Sequence, residues 1–366
     1  MACCGRSRFQ PLSKNSLDPV RCCLLSLRVD MRLLVLIAPA ILLSLSIHAA
    51  NAEDAAAFYS GRNLNLVVGF NVGGGADLYA RLIARHLGKH VAGRPTVIVR
   101  NMPGAGSMAA ANHIFNVSPR DGSEIGLFAG NIVVDPVIGG VATKYDARKF
   151  NWIGAPASET SVCLGSKATS FKTFDDVLAR DMVTGAAGTG TQDFPVVLNS
   201  LLGTKFKLVK GYAGSSGLRL ALERGEIEGF CGVGLTSVRS LGLTDDKINI
   251  LVQIALKRDA QLPNIPLVVD YAKTEQERQV MRLAFGWLEM ERPIAAPPGT
   301  LENRVKALRD GFDQTMQDPL FVADIAKASL AFAPMNGQNI ASFVDAVYET
   351  PPSVAQTTAR MLGRTR

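Results

Sequence analysis

Four times the chain repeats one phrase: an apolar, β-branched run, a glycine-rich break, then a run with helical spacing. The first is "LNLVVGFNVGGGADLYARLIARHL", Leu64 to Leu87, and "VIVRNMPGAGSMAAANHIF" follows it. "DMVTGAAGTGTQDFPVVLNSL" and "FKLVKGYAGSSGLRLALERG" say it again in the second half. Strands that alternate with helices imply an α/β fold built on parallel sheets. Consecutive glycines such as Gly73, Gly74 and Gly75 cost conformational entropy, so something must approach that backbone closely. Asp77 falls in the first turn of the following helix, where its charge suits the positive end of the dipole. Leu78, Leu82, Ile83 and Leu87 recur at helical spacing and are expected to form that helix's buried face.

A third strand, within "SPRDGSEIGLFAGN", follows an Asp-Gly turn and ends at Gly130 and Asn131. Three strands thus end in glycine or asparagine, and in an open α/β sheet such ends share the carboxyl edge where ligands bind. The pattern restarts after about Pro156. "KINILVQIAL" supplies one more strand, "PNIPLVVDYA" an irregular connector, and "MRLAFGWLEMERPIAAPPGT" a strand followed by a Pro/Gly turn. The last third reads as helices in "LENRVKALRDGFDQTMQ", "DPLFVADIAKAS" and "NIASFVDAVYE", with Asp318-Pro319 as a helix start.

The N-terminus reads differently. Arg28 and Arg32 precede the apolar run Leu33 to Ile47, which is shorter than the ~20 residues that span a bilayer. Ala50-Asn51-Ala52 offers the small residues of a cleavage site, so residues 1–52 are read as a leader removed after Ala52, with Met31 as its natural start. Its loss lowers the formal charge from +7 to +3, leaving 33 Lys/Arg against 30 Asp/Glu. That balance gives no reason to expect nucleic acid as a partner. Cys3, Cys4, Cys22 and Cys23 leave with the leader. Cys163 and Cys231 remain, and in an exported protein they can pair or stay free.

Familiar catalytic patterns are missing. "GGGADLYA" lacks the third glycine of a dinucleotide fingerprint, the second strand ends in Arg100-Asn101 rather than an acid, and no P-loop occurs. "AGSSG" around Ser215 is no nucleophile elbow, and His48, His86, His90 and His113 all precede it, against the hydrolase order. His86 and His90 lie four apart, which suits a zinc pair, or equally solvated residues near a helix C-terminus. No cofactor is implied. An exported α/β enzyme using Asp77 as a base or the His86/His90 pair stays open as an alternative.

Taken together, "VVGFNVGGGADLYARLIARHL", "VIVRNMPGAGSMAAANHI", "SPRDGSEIGLFAG", "TGAAGTGTQDFPVVLN", "VKGYAGSSGLRLALERGEIEGF" and "LPNIPLVVDYA" resemble, in order, the tripartite tricarboxylate transporter receptor family of Bug-type periplasmic solute-binding proteins. The likeness runs from about Phe58 to the end. It departs at Asn71-Val72, where the family usually has two prolines, and in "WLEMERPIAAPPGT". The resemblance implies a two-lobed periplasmic-binding-protein type II fold with a central ligand cleft. Lobe one would comprise 53–156 and 285–366, and lobe two 157–284.

The resemblance further implies a periplasmic, monomeric receptor that closes about a hinge on a small carboxylate and delivers it to membrane transporter subunits, or presents it as a sensor. The carboxylate would be held largely by backbone amides and water rather than by a buried arginine. Carried over by position, lobe one would contribute Phe70, Gly73, Gly74, Gly75, Asp77, Gly104, Ala105, Gly106, Gly130 and Asn131. Lobe two would add Gly188, Thr189, Gly190, Thr191, Tyr212 and Gly214. Phe70 and Tyr212 would flank the ligand's carbon skeleton, and Asn131 and the threonines would meet its polar distal end.

Overall fold

The computed structural model describes residues 55–139 and 143–364. The leader, its cysteines, Met31 and the cleavage position lie outside the described residues. Two sheets carry the fold. The first contains β1 (Asn63–Val68), β2 (Thr96–Asn101), β3 (Glu124–Leu127) and β4 (Asn151–Ala155). The second contains β5 (Ser161–Ser166), β6 (Met182–Ala186), β7 (Phe206–Lys210), β8 (Gly229–Gly234) and β9 (Ile248–Ile254). The chain then returns to the first sheet with β10 (Ile294–Ala296) and β11 (Met335–Asn336).

The sheets share one wiring. The first runs β11-β4-β10-β3-β1-β2 and the second β7-β6-β8-β5-β9. In each, three strands pair in parallel, β2-β1-β3 and β7-β6-β8. In each, an antiparallel strand then separates the third from the fourth: β10 between β3 and β4, and β5 between β8 and β9. That inserted strand is the first one laid down after the chain arrives from the other sheet. This is a two-lobed α/β fold made by repeating one unit and exchanging one strand.

Pleating explains the packing. Leu64, Leu66 and Val68 alternate onto one face of β1 and join a core with Tyr79, Ile83, Leu308 and Phe312. Val67 points to the other face, with Ala110, Ile114 and Phe128. Each fully buried aliphatic side chain of this kind stabilises by about 1.5–3 kcal/mol. The second sheet divides likewise, with Val162, Leu164 and Phe230 on one side and Cys163 and Cys231 on the other. Cys163 and Cys231 face each other across β5 and β8 and form a disulfide.

The longer helices are α1 (Gly75–His90), α2 (Met108–Asn116), α3 (Thr189–Leu202), α4 (Gly214–Glu223), α5 (Glu275–Phe285), α6 (Glu302–Gln317), α7 (Pro319–Lys327), α8 (Gly337–Tyr348) and α9 (Pro352–Met361). Asp318 caps α7 by accepting a hydrogen bond from the Leu320 N–H at 2.9 Å, with Pro319 in the first turn. Three sequence expectations need correction. Leu78 is 40% exposed; Leu82, Ile83 and Leu87 are buried as expected, and Tyr79 and His86 complete that face in its place. Met281–Phe285, read as strand, closes α5, and only Ile294–Ala296 of that segment is extended. His86 is buried rather than solvated: its Nε2 lies 2.9 Å from Asp324 Oδ2, and His90 Nε2 lies 3.0 Å from Asp318 Oδ2. These histidines bind α1 to α7, and their ring nitrogens face carboxylates.

Candidate functional site

The first glycine turn is held by its own aspartate. Asp77 is buried on the inner face of α1, and its carboxylate turns back onto the chain that precedes it. Oδ2 accepts from the Gly73 N–H and from Arg81 Nε, both at 2.9 Å, while Oδ1 accepts from Asn101 Nδ2 at 2.9 Å. Asn101 Nδ2 also donates to the Phe70 carbonyl at 3.0 Å. Phe70, Gly73, Asp77, Arg81 and Asn101 therefore form one network that shapes the turn. The Arg81 hydrogen bond, with those from Gly73 and Asn101, holds the Asp77 carboxyl down to about 2 from its ordinary 3.8. Both oxygens are engaged inside the first lobe, so Asp77 supports the turn from behind rather than reaching toward a ligand.

A pH dependence follows. A carboxyl with a lowered folded pKa stabilises above its unfolded value and loses that contribution as pH falls. For Asp77 the loss falls between pH 4 and pH 2. Asp77→Asn puts an amide among groups that donate, and should cost about 2 kcal/mol at pH 7 while flattening the wild-type loss below pH 4. Urea unfolding at pH 7 and pH 3 measures both. Equal stability of variant and wild type at pH 7 would detach Asp77 from the turn.

With Asp77 behind it, the turn presents Gly73, Gly74 and Gly75 outward. All three are exposed, and α1 begins at Gly75 with no side-chain cap on its first N–H groups. A Cβ at Gly74 would meet only the Asn71 carbonyl oxygen, at 3.8 Å. Such a helix start is a natural place for an anion.

The second turn is more strained. Gly104, Ala105, Gly106 and Ser107 all have positive φ, at 147°, 47°, 63° and 78°. Left-handed backbone costs L-residues such as Ala105 and Ser107 about 1–2 kcal/mol each. Ser107 is wedged against Gly69, where a Cβ would collide with its hydroxyl. This packing explains why the turn stays in a shape its own residues disfavour.

From that turn Gly106 looks across to the second sheet. A Cβ placed on it would stand 3.7 Å from Thr189 Oγ1 and 3.8 Å from Asn131 Nδ2. Asn131 follows β3 in the first sheet, and Thr189 opens α3 behind β6 in the second. Three of the residues singled out by sequence thus meet at one point, on loops from both sheets.

The others lie in differing roles. Gly130 has no room for a side chain, since a Cβ would stand 2.7 Å from the Trp287 carbonyl oxygen. Gly190 is likewise pressed to the Gly232 carbonyl, 2.7 Å from a Cβ position. Thr191 is spent within its turn: Oγ1 accepts from the Ala187 N–H at 2.8 Å and donates to the Gly188 carbonyl at 3.0 Å. Gly188 has open space about it. Tyr212 is half-buried in the second lobe, its ring edge 3.4 Å from a Cβ position on Gly185, and the Gly214 N–H donates to its carbonyl at 3.1 Å.

Two features went unread in the sequence. The chain segments that pass between the sheets pair with each other: the Glu291 N–H donates to the Ala157 carbonyl at 2.8 Å and the Glu159 N–H to the Leu288 carbonyl at 2.9 Å. Arg364, beyond α9, ties the segment after β3 to α3. Its Nη1 donates to Asp135 Oδ1 at 2.7 Å and its Nη2 to Asp193 Oδ2 at 2.6 Å. Asp135 in turn accepts from Asn131 Nδ2 at 2.8 Å, so the clasp reaches the meeting point. Burial pushes both Asp135 and Asp193 upward against the pull of Arg364.

The model of the tripartite tricarboxylate transporter family receptor matches residues 79–355. The UPF0065 protein in the gbd 5'region of Cupriavidus necator is 25% identical over 319 residues, covering 82% of this chain and 88% of that one. Among solved structures, a TctC solute-binding protein from Polaromonas, without ligand, superposes with a TM-score of 0.63 at 18% identity, over 84% of this chain and 100% of its own. An R. palustris protein solved with adipate superposes with a TM-score of 0.60 at 19% identity, over 83% and 98%. These structures share the fold of this chain.

Proposed function

Because the chain belongs to the tripartite tricarboxylate transporter receptor family, we propose that it captures a small carboxylate between its lobes and delivers it, chemically unaltered, to the membrane subunits of such a transporter. In this reading it is exported, loses its leader after Ala52 and works in the periplasm as a monomer. The lobes are 53–156 with 285–366, and 157–284, and the paired crossings at Ala157 and Glu291 are the hinge. The observation that carries the reading is the convergence of Gly106, Asn131 and Thr189 from two sheets. Gly74, Gly75, Gly104, Ala105, Gly106 and Gly188 offer main-chain amides, while the Gly73 amide is spent on Asp77 and fixes the turn. Asn131, Thr189, Phe70 and Tyr212 supply the side chains around them, and Asp77, Gly130, Gly190, Thr191 and Gly214 shape the turns. Charge-assisted bonds from amides to an anion are about twice as strong as neutral ones, so a carboxylate can be gripped without a catalytic group.

A calorimetric screen of the mature protein against mono-, di- and tricarboxylates, with chromatography of the recovered acids, tests the reading. One acid should raise stability by about 2.7 kcal/mol at 100 times its dissociation constant and be recovered unchanged. Conversion of the acid to a product would refute it.

A further inference from the structure

Arg292 sits where the second crossing re-enters the first sheet, two residues before β10. It is not glycine, yet its φ is +62°, a conformation that a side-chain-bearing residue adopts at a cost. Its guanidinium carbon lies 4.5 Å over the ring of Tyr79 on α1. Nη2 stands 4.0 Å from the position of a Cβ on Gly75, beside the first glycine turn. Nε and Nη1 are buried and have no hydrogen-bond acceptor among the described residues. Glu291 approaches Nη1 only to 3.6 Å, and Glu159 has its Oε1 committed to the Thr236 N–H at 3.0 Å.

An arginine cannot shed its proton, so buried donors without acceptors are costly unless something else completes them. Burial pushes both glutamates upward, and neither saturates the fork: Glu291 stands off at 3.6 Å and Glu159 is spent on Thr236. Its planar shape and its place beside the turn suit an oxyanion with two oxygens.

We propose that Arg292 is a specificity-determining residue that binds the second carboxylate of a dicarboxylate, whose first carboxylate rests on the amides near Gly106. This rests on the receptor reading above. It places a charged anchor beside the first glycine turn, where sequence similarity implied amides and water.

The test pairs acids that differ by one carboxylate: adipate with hexanoate, and succinate with butanoate. Calorimetry on the wild type should show the diacid preferred. Arg292→Met, which keeps the packing on Tyr79, should weaken diacid binding by about 10- to 100-fold and change monoacid binding by less than about 3-fold. Arg292→Lys should recover part of the preference. Arg292→Gly relieves the left-handed backbone and should lose the preference while remaining folded by circular dichroism. A diacid preference that survives in Arg292→Met, or an equal loss for both acids, overturns the assignment while leaving the receptor reading intact. A wild type that binds none of these acids, nor any in the wider carboxylate screen, overturns both.

Discussion

Gly106→Val is expected to weaken carboxylate capture by roughly 1000-fold, about 4 kcal/mol, in a protein that still folds. Two effects combine. A β-branched residue at φ +63° adds strain of about 1–2 kcal/mol to a turn already held left-handed at Ala105 and Ser107. Its methyl groups would also extend from a Cβ that is only 3.7 Å from Thr189 Oγ1 and 3.8 Å from Asn131 Nδ2. The space between the lobes would be filled by protein. Gly106→Ala shares the backbone strain but lacks the two methyls, so its affinity should fall between the two. Calorimetry with the best acid from the screen, alongside circular dichroism, separates lost binding from lost fold. Wild-type affinity in Gly106→Val would move the site elsewhere.

The second large effect is on stability. The Cys163–Cys231 disulfide closes a sequence separation of 68 and staples β5 to β8 in the interior of the second sheet. Chain-entropy arguments give about 4 kcal/mol for a loop of this size. The double variant Cys163→Ala/Cys231→Ala should therefore unfold at a lower temperature by about 6 °C. Both positions are fully buried, so the bond should resist mild reductant in the native state and yield once the protein unfolds. Thiol titration of the unfolded, unreduced protein should find no free thiol from either residue. Two free thiols, or an unchanged melting temperature in the double variant, would contradict this.

The strand, glycine turn and helix units were legible because each is local: β-branched runs, turn glycines and the Asp318-Pro319 start signal their structure within a few residues. The helical end of α5 was missed because "MRLAFGWL" is a short apolar run, and such runs do not distinguish a strand from a buried helix. A better signal was available. Thr274 and Glu277 form a capping box three residues apart and announce α5 from its other end. Leu78 lies at the edge of the face shared by Leu82, Ile83 and Leu87, and in the fold Tyr79 beside it takes the buried place.

The site divides along the same line. The turns were readable as places where backbone is exposed, but their partners were not. Asp77 was recognised as a first-turn acid, yet its bond to Gly73 depends on a turn geometry that no spacing specifies. Arg292 and Arg364 act over long separations, with Arg364 bonded to Asp135 across 229 positions and to Asp193 across 171. Nothing in "EMERPIAA" or "MLGRTR" marks either arginine for the contacts it makes. Only the fold brings their partners together.

A crystal structure of the protein grown with its tightest-binding acid from the carboxylate screen tests the central claim most directly. The account predicts an intact acid between the two sheets, with carboxylate oxygens within hydrogen-bond distance of main-chain N–H groups in both the 104–106 turn and the 188–190 turn. An acid bound to one lobe alone, or lodged away from Gly106 and Thr189, would contradict it.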